Sequence, residues 1–382
     1  MSSKKATIAF ISTMRMCPWG GSEELWCKSA QRLLSSGHRV CASVQYWPGQ
    51  RPQLELLRAN GAKVVERKPN RLKSVALRLA HDDLEAFQIR SFLKSAQPDL
   101  VVFSFGGFAE QLGWCKSCSA LGLPFVIVSQ AAMESLWPSD EQVELMAEIY
   151  HRALKIFFVS QGNRKLVETM LAQALANAEV ISNPFDAEYH TVCPYPAVGA
   201  TFNLACVARL DPFAKGQDVL LKVLALDKWQ ARNVNVSFFG RGQNPKSLLM
   251  LAERLGIQNA EFCGYVNGTS SIWKNHHLLI LPSRYEGLPI SLVEAMLSGR
   301  AAVVTDVGGN TEVIDDNQTG FVAKAPTVEL FDEAMERAWA RRMDWAQMGS
   351  EAARRIRALV PEDPIDAFTK HLLGLLRTHK NG

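Results

Sequence analysis

Apolar runs of four to six residues recur along this chain, each followed by a stretch in which apolar positions return every three or four residues. Thr7 to Ser12 has the first pattern, Glu23 to Ser35 the second, and Gly37-His38-Arg39 turns the chain into another apolar run from Val40 to Val44. That order, strand, loop, helix and strand, predicts a parallel sheet with crossover helices. Further strands are expected at 63–65, 100–104, 125–129 and 156–159, then in a second series at 203–208, 234–239, 260–263, 278–281, 301–305 and 320–322. Between the series, the segment 190–200 carries Pro194, Pro196 and Gly199 with little periodicity, and reads as a linker.

The expected architecture is α/β, with two doubly wound domains facing across a cleft: 1–189, the linker 190–200, and 201–363. Ligands in such sheets lie beyond the carboxyl ends of the strands. The last apolar-periodic run, Ile365 to Leu376, follows the completed second series. The helix expected over 364–382 therefore crosses back to pack on the N-terminal domain.

Composition narrows the classes. With 382 residues, 47% of them hydrophobic, the chain buries substantial cores, which excludes a disordered protein. Lysine and arginine total 42 against 38 acidic residues, a net charge of +4 that gives no case for a nucleic-acid partner. The apolar run Ala6 to Ile11 is too short for a secretory or membrane-spanning segment, so a cytoplasmic location is expected. Arg67 to Arg78 mixes five basic residues with an apolar stripe, which reads as a solvated face or as a peripheral contact with an anionic membrane surface or acceptor. The eight cysteines lack the density of a disulfide framework.

The most informative stretch runs from Ser283 to Glu294. Ile280 and Leu281 end an apolar strand, Gly287 allows a tight turn, and Pro289 suits a helix start over about Pro289 to Leu297. A helix N-terminus there favours phosphate or sugar oxygens. Glu286 lies before the helix and Glu294 within it, eight positions on. Upstream, Arg209 and Lys215 flank a turn at the end of a strand, and such a pair can clamp a diphosphate. The Gly20-Gly21 pair after the first strand allows close backbone approach to a ligand, whereas Glu23 and Glu24 read as helix N-terminal charges. Gly240-Arg241-Gly242 resembles half a dinucleotide fingerprint, but Pro245 stands at its last glycine, which points to a nucleotide and not to hydride transfer. Cys115 and Cys118 have redox spacing without a second ligand pair, and His276-His277 lacks a matching carboxylate, so no metal site is expected.

In this order the Arg-turn-Lys-Gly segment, the glycine turn, the two glutamates and the run Thr305 to Glu312 resemble the retaining glycosyltransferases of the group 1 type, family 4. The resemblance is strongest from Asn203 to Ala323. It implies a GT-B fold of two Rossmann-like domains, the C-terminal one holding a nucleotide-sugar and the N-terminal one the acceptor. It implies no metal and no cofactor beyond a donor of the UDP or GDP type, and a sugar, lipid-linked or small-molecule acceptor in polysaccharide, glycolipid or glycoconjugate synthesis. By the same resemblance Arg209 and Lys215 hold the donor diphosphate, Glu286 the donor sugar and Glu294 the ribose. Gly287, Leu288 and Ile290 supply backbone amides, and Gly20, Gly21 and Gly240 lie near the donor. Many relatives carry a donor-facing histidine where this chain has Gln130, so no histidine role is assigned. Two alternatives remain: an epimerase or glycosyl phosphorylase, and a non-catalytic nucleotide-sugar-binding protein.

Overall fold

The computed structural model describes residues 5–15, 17–49, 51–68 and 84–381. Among them the chain forms two compact units. The first comprises residues up to Val159, Asn163–Pro184 and the stretch from Asp363 onward; the second comprises Ser160–Gly162 and Phe185–Glu362. Both are Rossmann-like α/β units built on parallel sheets.

The first sheet contains β1 (Thr7–Ser12), β2 (Arg39–Gln45), β3 (Lys63–Arg67), β4 (Leu100–Phe105), β5 (Phe125–Ser129), β6 (Lys155–Phe158) and β7 (Ala178–Val180). Its order among the described residues is β3-β2-β1-β4-β5-β6-β7. Alternate residues of β1 serve opposite faces: Ile8 and Phe10 pack with Leu25, Trp26 and Leu33, while Ala9 and Ile11 join Trp114, Met146 and Ile149. Helices on both faces explain why the strands read as continuous apolar runs. The short β7 lacks that run and its residues are only half-buried, so the apolar pattern did not reveal it.

The C-terminal helix Pro364–Asn381 belongs to the first unit. It inserts Phe368, Leu372 and Leu376 beside Leu33 and Phe157, with the Phe157 and Phe368 rings edge to face at 5.3 Å.

The second sheet contains β8 (Phe202–Val207), β9 (Val234–Phe239), β10 (Ala260–Gly264), β11 (Leu278–Leu281), β12 (Ala301–Thr305) and β13 (Gly320–Ala323). Its order among the described residues is β10-β9-β8-β11-β12-β13. The order reverses between β8 and β11, and at such a switch the crossover helices leave on opposite faces. On one face Leu204, Val236, Ile280 and Val303 pack with Trp229, Phe331 and Trp345; on the other, Ala205, Leu279, Leu281 and Val304 meet Leu292, Met296 and Ile356.

The proline-containing segment 190–200 is part of the second unit and not a free linker. The Tyr195 hydroxyl donates to the His277 carbonyl at 3.2 Å, and the fully buried Arg300 donates to the carbonyls of Cys193 at 3.1 Å, Pro194 at 2.7 Å and His276 at 2.9 Å. Prolines remove backbone donors, so the carbonyls of this stretch find a side-chain donor instead. Among the described residues no helix is long and apolar enough to cross a membrane. In the basic stretch, Arg67 is buried at 2% exposure and Lys68 lies over the Tyr46 ring at 4.7 Å; residues 69–78 lie outside the described residues. Arg67 therefore belongs to no solvated or lipid-facing surface.

Arg300→Ala strips donors from several buried carbonyls at once. It is expected to lower stability by about 3 kcal/mol or more, read as a drop in the urea midpoint of the full chain relative to wild type.

Candidate functional site

The carboxyl ends of β8 and β11 meet at the switch point of the second sheet. After β8 the chain passes Arg209, makes the single helical turn Pro212–Lys215, and enters helix Gln217–Leu224 through Gly216. Gly216 has φ +63°, and a Cβ there would stand 2.0 Å from the Pro282 carbonyl oxygen. Only glycine allows this approach. It carries Lys215 alongside the loop that follows β11, where the Arg284 amide donates to the Ala214 carbonyl at 2.8 Å. The Arg284 guanidinium grips Asp218 with bonds of 2.6 and 2.9 Å; burial pushes the Asp218 carboxyl up, but Arg284, Lys222 and a backbone hydrogen bond together hold it below its ordinary range.

Within this frame the Lys215 ammonium donates to Glu286 Oε1 at 2.6 Å, and Ser283 Oγ donates to the same oxygen at 2.8 Å. Glu286 is 6% exposed. The Thr305 hydroxyl at the end of β12 donates to the Ser283 carbonyl at 2.6 Å, so three strand ends orient one carboxylate. Just beyond, the Gly309 amide donates to the Gly287 carbonyl at 2.6 Å, while the amides of Gly287, Leu288 and Ile290 have no acceptor among the described residues. Helix Ile290–Leu297 starts there, with Pro289 as its cap. A fixed carboxylate, a lysine and open amides at a helix N-terminus suit a ligand that carries both hydroxyls and phosphate.

Not every expected residue joins this group. The Arg209 guanidinium rests on Asp211 at 2.9 Å, and its carbonyl accepts from the Gln217 side chain at 2.7 Å. Arg209 and Lys215 thus flank the turn as expected, but each cation is held by a carboxylate and not by the other's neighbourhood. Glu294 is buried, and its Oε1 accepts the Asp186 amide at 2.7 Å. Gly240 has φ +147°, and a Cβ there would meet the Ala208 carbonyl oxygen at 2.0 Å, so packing of the β8 and β9 ends by itself demands glycine.

Gly20 and Gly21 lie in the first unit, at the entry to helix Gly21–Ser35. Gly20 is extended, with φ −151°, and its carbonyl accepts the Glu23 amide at 2.9 Å. Gln130 is buried and exchanges two side-chain bonds with Asn183, at 3.2 and 2.7 Å. Cys115 and Cys118 are buried free thiols, and burial pushes Cys118 up to about 12. His276 and His277 bond backbone groups of Ile272 and Asn203.

Glu23 requires a correction. It is not a solvated helix-end charge: it is 4% exposed and accepts from Ser12 Oγ at 2.9 Å. Burial raises its carboxyl to about 7, against the opposing effects of Ser12, Trp26 and Arg67. Arg67 donates to Ser43 Oγ at 3.0 Å and to the Ser12 carbonyl at 2.6 Å; burial lowers it to about 9, so it stays charged at neutral pH. Neither contact was legible in a list of helix-end and strand-end charges, because each depends on which strand ends adjoin.

The fold matches GT-B glycosyltransferase structures. A glycosyltransferase from Rickettsia africae superposes with a TM-score of 0.75 at 14% identity, over 97% of this chain and 98% of that one. Anabaena Alr3699/HepE in complex with UDP-glucose gives a TM-score of 0.74 at 16% identity, over 97% and 99%. Residues 199–355 match the family described as Glycosyl transferases group 1. The curated relatives include the lipopolysaccharide glucosyltransferase WaaG of Escherichia coli K12, 30% identical over 38% of this chain and 40% of that protein. The D-rhamnosyltransferase WbpZ of Pseudomonas aeruginosa is 28% identical over 36% of this chain and 37% of that protein. The matched stretch spans well under half the length of these relatives.

A buried carboxyl that keeps its proton to about pH 7 binds more protons folded than unfolded between pH 4.5 and 7. Its contribution is complete below the unfolded value and disappears as pH rises through the folded one. Stability should therefore fall by about 3 kcal/mol across that window from this group. Glu23→Gln should remove that part of the slope when denaturation midpoints of wild type and variant are compared from pH 5 to 8.

Proposed function

We propose that the protein is a retaining, metal-independent glycosyltransferase that moves a sugar from a nucleoside diphosphate, of the UDP or GDP type, to an acceptor hydroxyl. The acceptor is a sugar, free or lipid-linked, or another small molecule, in polysaccharide, glycolipid or glycoconjugate synthesis. The observation that carries this reading is the Lys215–Glu286–Ser283 group beside the open amides of Gly287, Leu288 and Ile290. The group 1 match over the same region and the relatives named above support it.

In this mechanism the donor diphosphate lies at the helix N-terminus. Lys215 and Arg209 face its oxygens, and Lys215 is shared between phosphate and Glu286. As the bond from the anomeric carbon to the phosphate oxygen breaks, the electron pair stays on the phosphate, where the lysine and the amides stabilise the growing charge. Glu286, held by Ser283, accepts hydrogen bonds from donor-sugar hydroxyls and stabilises positive charge on the ring. Glu294 accepts ribose hydroxyls. The acceptor oxygen bonds the anomeric carbon on the face that the phosphate leaves, and its proton passes to the departing phosphate oxygen. Configuration is retained, and no separate protein base is required.

Steady-state release of nucleoside diphosphate from UDP-glucose and GDP-mannose, with saccharide acceptors, tests these roles. Lys215→Ala and Glu286→Gln should each lower kcat about 100-fold or more, whereas Glu294→Gln should mainly raise the donor KM. Unchanged turnover in the first two variants with an intact fold would refute the assignment, and a product of inverted anomeric configuration by NMR would refute retention.

A further inference from the structure

Lys215 projects from a helical turn too short to hold its own place. The turn Pro212–Lys215 has four residues and ends at Gly216, whose φ of +63° separates it from helix Gln217–Leu224. A single turn fixes many dihedrals for very few hydrogen bonds, so its position has to come from contacts outside it. Arg284 supplies them. Its backbone amide donates to the Ala214 carbonyl at 2.8 Å, and its Nη1 donates to the Pro212 carbonyl at 2.5 Å. Nη1 and Nη2 also take the two oxygens of Asp218, at 2.6 and 2.9 Å. One residue thus joins the loop after β11, the turn after β8 and the helix that follows that turn.

Arg284 stands two positions before Glu286, the carboxylate that the Lys215 ammonium meets at 2.6 Å. Both ends of that contact therefore sit on segments that a second ion pair ties together. The Phe213 and Tyr285 rings, edge to face at 6.1 Å, join the same two segments once more. The side chains of Arg284 and Asp218 are 34% and 20% exposed, and ion pairs so open to water contribute only about 0–1 kcal/mol to stability. Their geometry matters more than their energy. A planar guanidinium on both oxygens of a carboxylate fixes an orientation, which the flexible four-carbon stem of Lys215 does not do by itself.

We propose that Arg284 and Asp218 are positioning residues that set the place of Lys215 against Glu286. They act through the lysine, by holding the turn that carries it. Resting on the glycosyltransferase reading, this spacing decides how Lys215 is shared between Glu286 and the donor diphosphate, and a misplacement of about 1 Å costs on the order of 100-fold in rate.

Two measurements on the full chain test this: nucleoside diphosphate release from UDP-glucose and GDP-mannose, and urea unfolding. Asp218→Asn removes the charge at constant shape, and Arg284→Lys keeps the charge but loses the fork; each should lower kcat about tenfold or more while the donor KM changes less than about threefold. In a Lys215→Ala background neither substitution should lower kcat by more than about a further twofold, because the group they position is gone. The drop in urea midpoint caused by Lys215→Ala should likewise shrink by about half or more in the Asp218→Asn background. Asp218→Asn carries the test if Arg284→Lys does not fold. Unchanged kcat in the folded variants, or effects that add fully to those of Lys215→Ala, overturns the positioning role. Absence of turnover by wild type with either nucleotide sugar refutes the proposed function instead, and the urea midpoints then decide the positioning role alone.

Discussion

The second unit depends on one close backbone approach, Gly216 against the Pro282 carbonyl. Parallel pairing of β8 and β11 sets their ends side by side, and the glycine removes the only atom that would separate the following loops. Lys215 is then brought onto Glu286 while Arg284 closes on Asp218. The Glu286 end of the ion pair is buried, and a buried carboxylate is tolerable only with such partners. Ser283 and Thr305 complete it from two more strand ends. The carboxylate is thus oriented before any ligand arrives, which is the condition for electrostatic stabilisation without reorganisation.

The two units solve the same architectural problem with different chemistry. In the second, a lysine, a carboxylate and open helix amides occupy the switch point, a set suited to phosphate and hydroxyls together. In the first, Glu110 is held by Thr13 and a glycine amide, with Arg67 and Glu23 buried nearby. Strand ends in a parallel sheet present unpaired backbone groups to the same side, so polar side chains collect there in both units. Which residues collect depends on loops that differ completely in sequence.

Much of the architecture was legible in the chain itself. Continuous apolar strands alternating with amphipathic helices determined two parallel α/β units, because only strands covered on both faces can be apolar throughout. Gly287, Pro289 and the apolar run after them determined the local turn and helix start, since backbone freedom and a missing amide act within a few residues. The short β7 and the packing of segment 190–200 were not legible. The first carries little apolar signal, and the second is held by Arg300, whose partners lie far away in sequence.

Only the tertiary structure decided the state of the charged groups. Glu23 and Arg67 look like ordinary surface charges in the sequence, yet the order of the strand ends buries both and raises the Glu23 carboxyl to about 7. Arg209 and Lys215 read as a matched pair, but folding gives one to Asp211 and the other to Glu286. Residue type and spacing determined which groups stand near a strand end. Desolvation and partner choice arise from contacts between segments tens of residues apart, and those exist only once the sheets have assembled.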